Sequence, residues 1–125
     1  MQKYRSKQIS VGKKRLNAIV ADSFTKRMVG LMFRKSLPKN ACMLFMFGRE
    51  GMHCIWMRNM RFPIDAIWLD KDCRIVGMRA EMGPCKSLAD CKTYCPERPA
   101  RYAIEMNAGD IRKMGINPST KIVLG

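Results

Sequence analysis

No apolar stretch in this chain of 125 residues is long, and that brevity limits the fold more than any other feature. RLNAIVAD (15–22), MLFMF (43–47), MHCIWM (52–57), IDAIWLD (64–70), RIVGMRAEM (74–82), ARYAIEM (100–106) and TKIVL (120–124) are each followed or preceded by turn-forming residues. Runs of this length, rich in β-branched and aromatic residues, read as strands. In the first of them Leu16, Ala18 and Val20 alternate to one side, whereas MLFMF is apolar throughout and suits a strand buried on both faces. LPKNA (37–41), GREG (48–51) and DKDC (70–73) supply turns.

Two segments break the pattern. Ser23 stands where an N-cap would, ahead of FTKRMVGLM (24–32), in which Phe24, Met28, Leu31 and Met32 keep helical spacing and Gly30 is placed to close a short helix. AGDIRKMG (108–115) reads as a second short helix ending at Gly115. Six or seven short strands with two short α-helices predict a mainly β fold, a compact antiparallel β-sandwich or small barrel. A basic N-terminal segment, 1–13, precedes a single domain over 14–125. No apolar run approaches the roughly 18 residues of a membrane helix. The basic N-terminus leads into no apolar core of a leader, which predicts a cytoplasmic protein with no membrane partner.

The net charge of +14 is uneven: residues 1–39 hold eleven Lys and Arg against Asp22 alone. Such a field attracts polyanions. No nucleic-acid motif accompanies it, so the expectation is a solvated basic face, with any nucleic-acid binding non-specific and carried by this N-terminal third.

The sole histidine lies in MHCIWM, where strand parity sets His53 and Cys54 on opposite faces and so rules out a dyad between them. A structural role for His53 is expected. Twelve methionines spread along the chain read as adaptable core filling rather than a copper site. No serine-hydrolase elbow, phosphate-cradling glycine loop or paired metal-binding histidines occur.

Asp65 falls inside an otherwise apolar strand and needs a cationic or backbone partner, with Arg34, Arg58, Arg61 and Arg101 as candidates and Asn59 as a further donor. The irregular segment 83–99 carries three prolines and Cys85, Cys91 and Cys95. A disulfide between Cys85 and Cys91, free thiols, and a zinc site on all three cysteines are the alternatives. Zinc is the weaker reading because the C-x2-C knuckle is missing, and no cofactor is predicted.

In order and spacing, GLMFR (30–34), MLFMF, WMRNM (56–60), PIDAIWLD (63–70), PC (84–85), ARYAIEMNAG (100–109) and GI (115–116) resemble the domain of unknown function 192 family over about residues 14–124. The resemblance implies a compact, mainly antiparallel β fold with short helices. It also implies recurrent polar positions at Arg34, Asn59, Asp65, Arg101, Glu105 and Asn107, with Trp56, Met57 and Gly109 in the matched motifs. Many relatives look exported and carry two loop cysteines, whereas Cys95 is a third here.

The leading functional expectation is a non-catalytic binding or accessory domain for a small molecule or macromolecule. Its ligand would lie against WMRN (56–59) and the 83–99 loop, with Trp56 and Met57 giving apolar contact and Arg58 and Asn59 orienting polar groups. An enzyme using Asp65 or Glu105 as general acid–base in that same pocket is the alternative from another class.

Overall fold

The structure, a computed structural model, describes residues 3–125. The first two positions of the 1–13 segment lie outside the described residues. The elements in chain order are β1 (Arg5–Val11), β2 (Lys14–Ala21), α1 (Phe24–Val29), β3 (Ala41–Gly51), β4 (Ile55–Trp56), β5 (Ile64–Leu69), β6 (Ile75–Met82), β7 (Thr93–Tyr94), β8 (Ala100–Asn107), α2 (Asp110–Lys113) and β9 (Ile122–Val123). Seven strands form one sheet in the order β6-β5-β8-β3-β2-β1-β9, curled into a half-barrel, and β4 and β7 pair separately. The mainly β class with two short α-helices is therefore what the chain adopts.

Five of the six neighbouring pairs in the sheet are antiparallel; β2 and β3 run parallel, Asn17 opposite Ala41 through Ala21 opposite Phe45. A parallel pair needs a crossover of a dozen residues or more, and the stretch containing α1 supplies it. The β1 strand, drawn from the segment read as preceding the domain, pairs with β2 along its whole length and with β9.

Curling buries both faces of the central strands, which is why MLFMF and IDAIWL show no alternation. One face carries Met43, Phe45, Ala66, Trp68 and Ala103 and is covered by Met57, Met60 and Met82. The other carries Leu44, Ile67, Leu69, Ile104 and Met106, closed by Ile116 and Ile122.

Three local readings are corrected. GREG is not a hairpin turn: β3 continues to Gly51 across a break in register after Met46. Of residues 52–57, read as one strand, only Ile55–Trp56 are extended and paired. The helical apolar face is inverted at two positions, since Phe24 and Met28 are exposed while Leu31, just past the helix, is buried.

Candidate functional site

A cleft of about 210 Å³ opens between the end of α1 and the 54–60 segment, over the face of the sheet that carries Met43 and Phe45. Its near wall is built by a capped and abruptly ended helix. Ser23 Oγ accepts the Lys26 N–H at 3.2 Å, and Gly30, at a positive φ of 51°, donates its N–H to the Lys26 carbonyl at 2.9 Å. A side chain at Gly30 would also crowd the Phe45 ring, its Cβ coming within 3.2 Å of Cζ. Glycine thus allows the helix to end against the sheet and leaves Met28 at the rim, 60% exposed.

The far wall is Cys54, Ile55, Trp56, Met57 and Met60. This segment has little regular pairing and is held otherwise. The buried Trp68 donates its indole N–H to the His53 carbonyl at 2.8 Å, and Cys54 is disulfide-bonded to Cys95. The Phe33 N–H reaches the Asn59 carbonyl at 2.9 Å, and Asn59 takes a positive φ of 60°. His53 stacks on Phe47 with ring centroids 3.9 Å apart, its Nε2 lying 3.0 Å from the Arg49 carbonyl oxygen. His53 is packed as a structural residue.

Among the described residues, two charged or acidic side chains line this otherwise apolar cleft, Arg27 and Glu105. Arg27 Nη1 donates to the Met46 carbonyl at 3.0 Å. Glu105 lies on β8 between Met43 of β3 and Ala66 of β5, is 6% exposed, and makes no hydrogen bond or ion pair among the described residues. Burial without a compensating charge pushes its carboxyl up to about 8, so it is predominantly protonated at neutral pH.

Asp65 does not share this cleft. It stands opposite Met106, one register step from Glu105, and therefore points to the other face of the sheet. Fully buried, its carboxylate accepts backbone N–H groups from Glu81 at 2.7 Å, Gly109 at 3.1 Å and Ile111 at 2.9 Å. No arginine pairs with it among the described residues. The reading of Asp65 and Glu105 as alternatives within one pocket is corrected accordingly.

The remaining sequence candidates scatter. Trp56, 43% exposed, and buried Met57 line the cleft. The Arg58 guanidinium lies 5.3 Å from the Trp56 ring centroid, yet Arg58 and Asn59 line a separate shallow depression with Cys85, Lys86, Ser87, Leu88 and Cys91. Arg34 lies over Tyr4 at 5.6 Å. Asn107 donates to the Leu37 and Pro38 carbonyls at 3.1 and 3.3 Å and fixes that turn. Arg101 is half-buried on β8, on the same side as Glu105 by strand parity. Sequence reasoning missed the α1 wall, Arg27 to Met32, because helical apolar spacing looks the same whether it faces a core or rims a cleft.

The cysteine cluster is also rearranged. Cys85 pairs with Cys91 and Cys95 with Cys54, so the three thiols read as a zinc set are not available as thiolates in this state. Of the free cysteines, Cys42 is buried and its thiol is pushed up to about 12 by desolvation, leaving it an inert core residue.

Comparison with known proteins gives a consistent picture. A UPF0127 protein of Pyrococcus furiosus is 29% identical over 113 residues, covering 86% of each chain. Another from Pyrococcus horikoshii is 35% identical over 91 residues, covering 69% of this chain and 68% of that one. A crystal structure of a protein of unknown function from Novosphingobium aromaticivorans superposes with a TM-score of 0.85 at 26% identity, covering 94% of this chain and 84% of that one. One from Sinorhizobium meliloti, proposed as a transcription regulator, reaches 0.89 at 24% identity over 98% and 95% of the two chains, and speaks to the fold alone. The family described as "Uncharacterized ACR" matches residues 7–124, nearly the entire chain, and the protein belongs to this domain of unknown function 192 family.

Proposed function

We propose that this protein is a non-catalytic binding domain whose ligand places an apolar body in the cleft between α1 and residues 54–60. The observation that carries the reading is an apolar concavity rimmed by exposed Met28 and Trp56, with one buried polar group, Glu105, at its floor. Apolar walls with few polar groups are the usual make-up of ligand sites, and flexible methionines let such walls adapt. The 83–99 loop contributes indirectly, by holding Cys54 through Cys95.

A second reading is favoured by the raised Glu105 carboxyl alone: an enzyme with Glu105 as general acid. It is the weaker of the two, because the cleft offers neither a nucleophile nor a second acid–base group; Cys54 is oxidised and Asp65 faces away. The two disulfides favour an oxidising compartment over the cytoplasmic placement expected from sequence. No helix among the described residues is long and apolar enough to cross a membrane.

Amide NMR during a screen of small apolar molecules tests the binding reading. Shifts concentrated at residues 27–32 and 54–60 are expected, and Trp56→Ala should diminish them without unfolding the protein. Shifts confined to the depression at Arg58, Asn59 and Leu88, or no shifts at all, would overturn it.

A further inference from the structure

Glu105 is a polar side chain that the fold does not use. Most of the residue is buried within the sheet and it makes no hydrogen bond or ion pair among the described residues, so its carboxyl oxygens are left open to the cleft that it lines. Buried polar groups in folded proteins are nearly always satisfied by the protein or by whatever occupies the site they face. The strands on either side set Met43 and Ala66 directly opposite it. On the same side of the sheet stand Arg101, four residues back along β8, and Arg79, beyond Ala66 on β6 and turned over the Tyr94 ring, neither bonded to it. The 54–60 wall offers thioethers, an indole ring and an aliphatic side chain. The α1 wall offers one charge, Arg27, which is already hydrogen-bonded to the Met46 carbonyl. Cys54 is oxidised and cannot titrate, and Asp65 lies across the sheet.

We infer that the cleft selects a small uncharged molecule with an apolar body and one hydrogen-bond acceptor, such as a ketone, ester or amide carbonyl, which accepts a hydrogen bond from the carboxyl O–H of Glu105. The inference rests on the binding reading above and names its ligand class. A cationic ligand is disfavoured by the arginine in the lining and by the net charge of +14. An anionic ligand would place a second acidic group against Glu105 in an apolar setting, where one of the two must remain protonated. An uncharged acceptor satisfies the carboxyl without either penalty. The walls then discriminate by shape, and Glu105 discriminates by requiring an acceptor.

The test uses the full chain and the uncharged aromatic ketone dye prodan, whose fluorescence reports both burial and hydrogen bonding. Its binding should weaken roughly tenfold between pH 7 and pH 9, as the protonated fraction of Glu105 falls through its value of about 8. Glu105→Gln keeps a donor and loses the ionisation, so whatever its affinity at pH 7, that affinity should show no fall at pH 9. The parent dimethylaminonaphthalene, which lacks the ketone, should bind wild type more weakly and without that fall. Failure of prodan to bind wild type at either pH would overturn the cleft reading and this inference together. Binding that Trp56→Ala weakens, but whose pH profile is the same in wild type and Glu105→Gln, would overturn the inference and leave the cleft standing.

Discussion

Glu105 and Asp65 stand one register step apart on adjacent strands, yet they meet opposite physical conditions. Asp65 collects three backbone N–H groups, two of them from the start of α2, and so acts as a remote cap for that helix and as the filler of the irregularity beside Glu81. Replacing it with alanine leaves those part-buried donors without their acceptor and opens a gap in the core. A cost of roughly 3 kcal/mol or more in denaturant unfolding is expected. Glu105 has no such partners, and its folded value of about 8 lies above its ordinary 4.5. The folded state therefore holds this proton where the unfolded chain has released it. Its contribution is fully present below about pH 4.5, declines as pH rises, and is lost above about 8. Glu105→Gln should remove this decline, so the variant should exceed wild type in stability at pH 8 by several kcal/mol and converge on it in mild acid. Equal pH dependence of the two melting curves would contradict this. Asp65 was legible in the sequence as a polar misfit inside a strand. Its partners were not, because backbone N–H groups brought together by a bulge and a helix end leave no mark on side-chain identity. Asn59, read as a pocket residue, lines the depression beside the 83–99 loop and also occupies a left-handed turn position that asparagine tolerates well. Asn59→Gly should then be near neutral and Asn59→Ala should cost about 1 kcal/mol.

At the scale of elements, the 83–99 loop shows how a long irregular segment is fixed without regular structure. Cys85–Cys91 closes it on itself, Cys54–Cys95 ties it to the wall of the cleft, and β7 pairs with β4. Its far end docks on β6: Glu97 donates its N–H to the Val76 carbonyl at 3.0 Å, and buried Pro96 packs over Gly77. A Cβ at Gly77 would come within 2.9 Å of Pro96 Cα, a backbone atom that cannot yield locally. Gly77→Val should therefore lift the loop end. Limited proteolysis is expected to cut the variant within 83–99 while the sheet persists, and an uncut loop would show that Gly77 is tolerant. The three prolines and three cysteines marked this segment as irregular, with a Cys85–Cys91 disulfide as one of its alternatives. The partner of Cys95 was hidden because Cys54 sits in a stretch that resembled a regular strand. Likewise, the parallel β2–β3 pair followed from a crossover whose helix was legible but whose direction was not.

For the molecule as a whole, the charge read from the sequence becomes a surface. Asp22, the lone acid among residues 1–39, is taken up by Arg5 at 2.7 Å and Lys26 at 3.7 Å. Lys13 in the turn between β1 and β2, and Lys14 and Arg15 at the start of β2, remain exposed and make no ion pair among the described residues. Lys14 lines a depression together with Lys39 and Lys113, three cations distant in sequence set against the single acid Asp110. No recognised nucleic-acid motif accompanies the charge in the sequence, so any nucleic acid attracted to this end is expected to be held through phosphates alone. Affinity for unrelated duplexes should then be equal and should fall steeply with salt. Neutralising Lys13, Lys14 and Arg15 together should weaken binding uniformly and flatten the salt dependence by up to about 0.9 in log–log slope for each phosphate no longer neutralised. The cleft faces the sheet elsewhere, so prodan binding should be unchanged in the same variant. A sequence preference that survives the triple substitution would mean that recognition runs through base edges, and the basic end would then be something other than a non-specific polyanion surface.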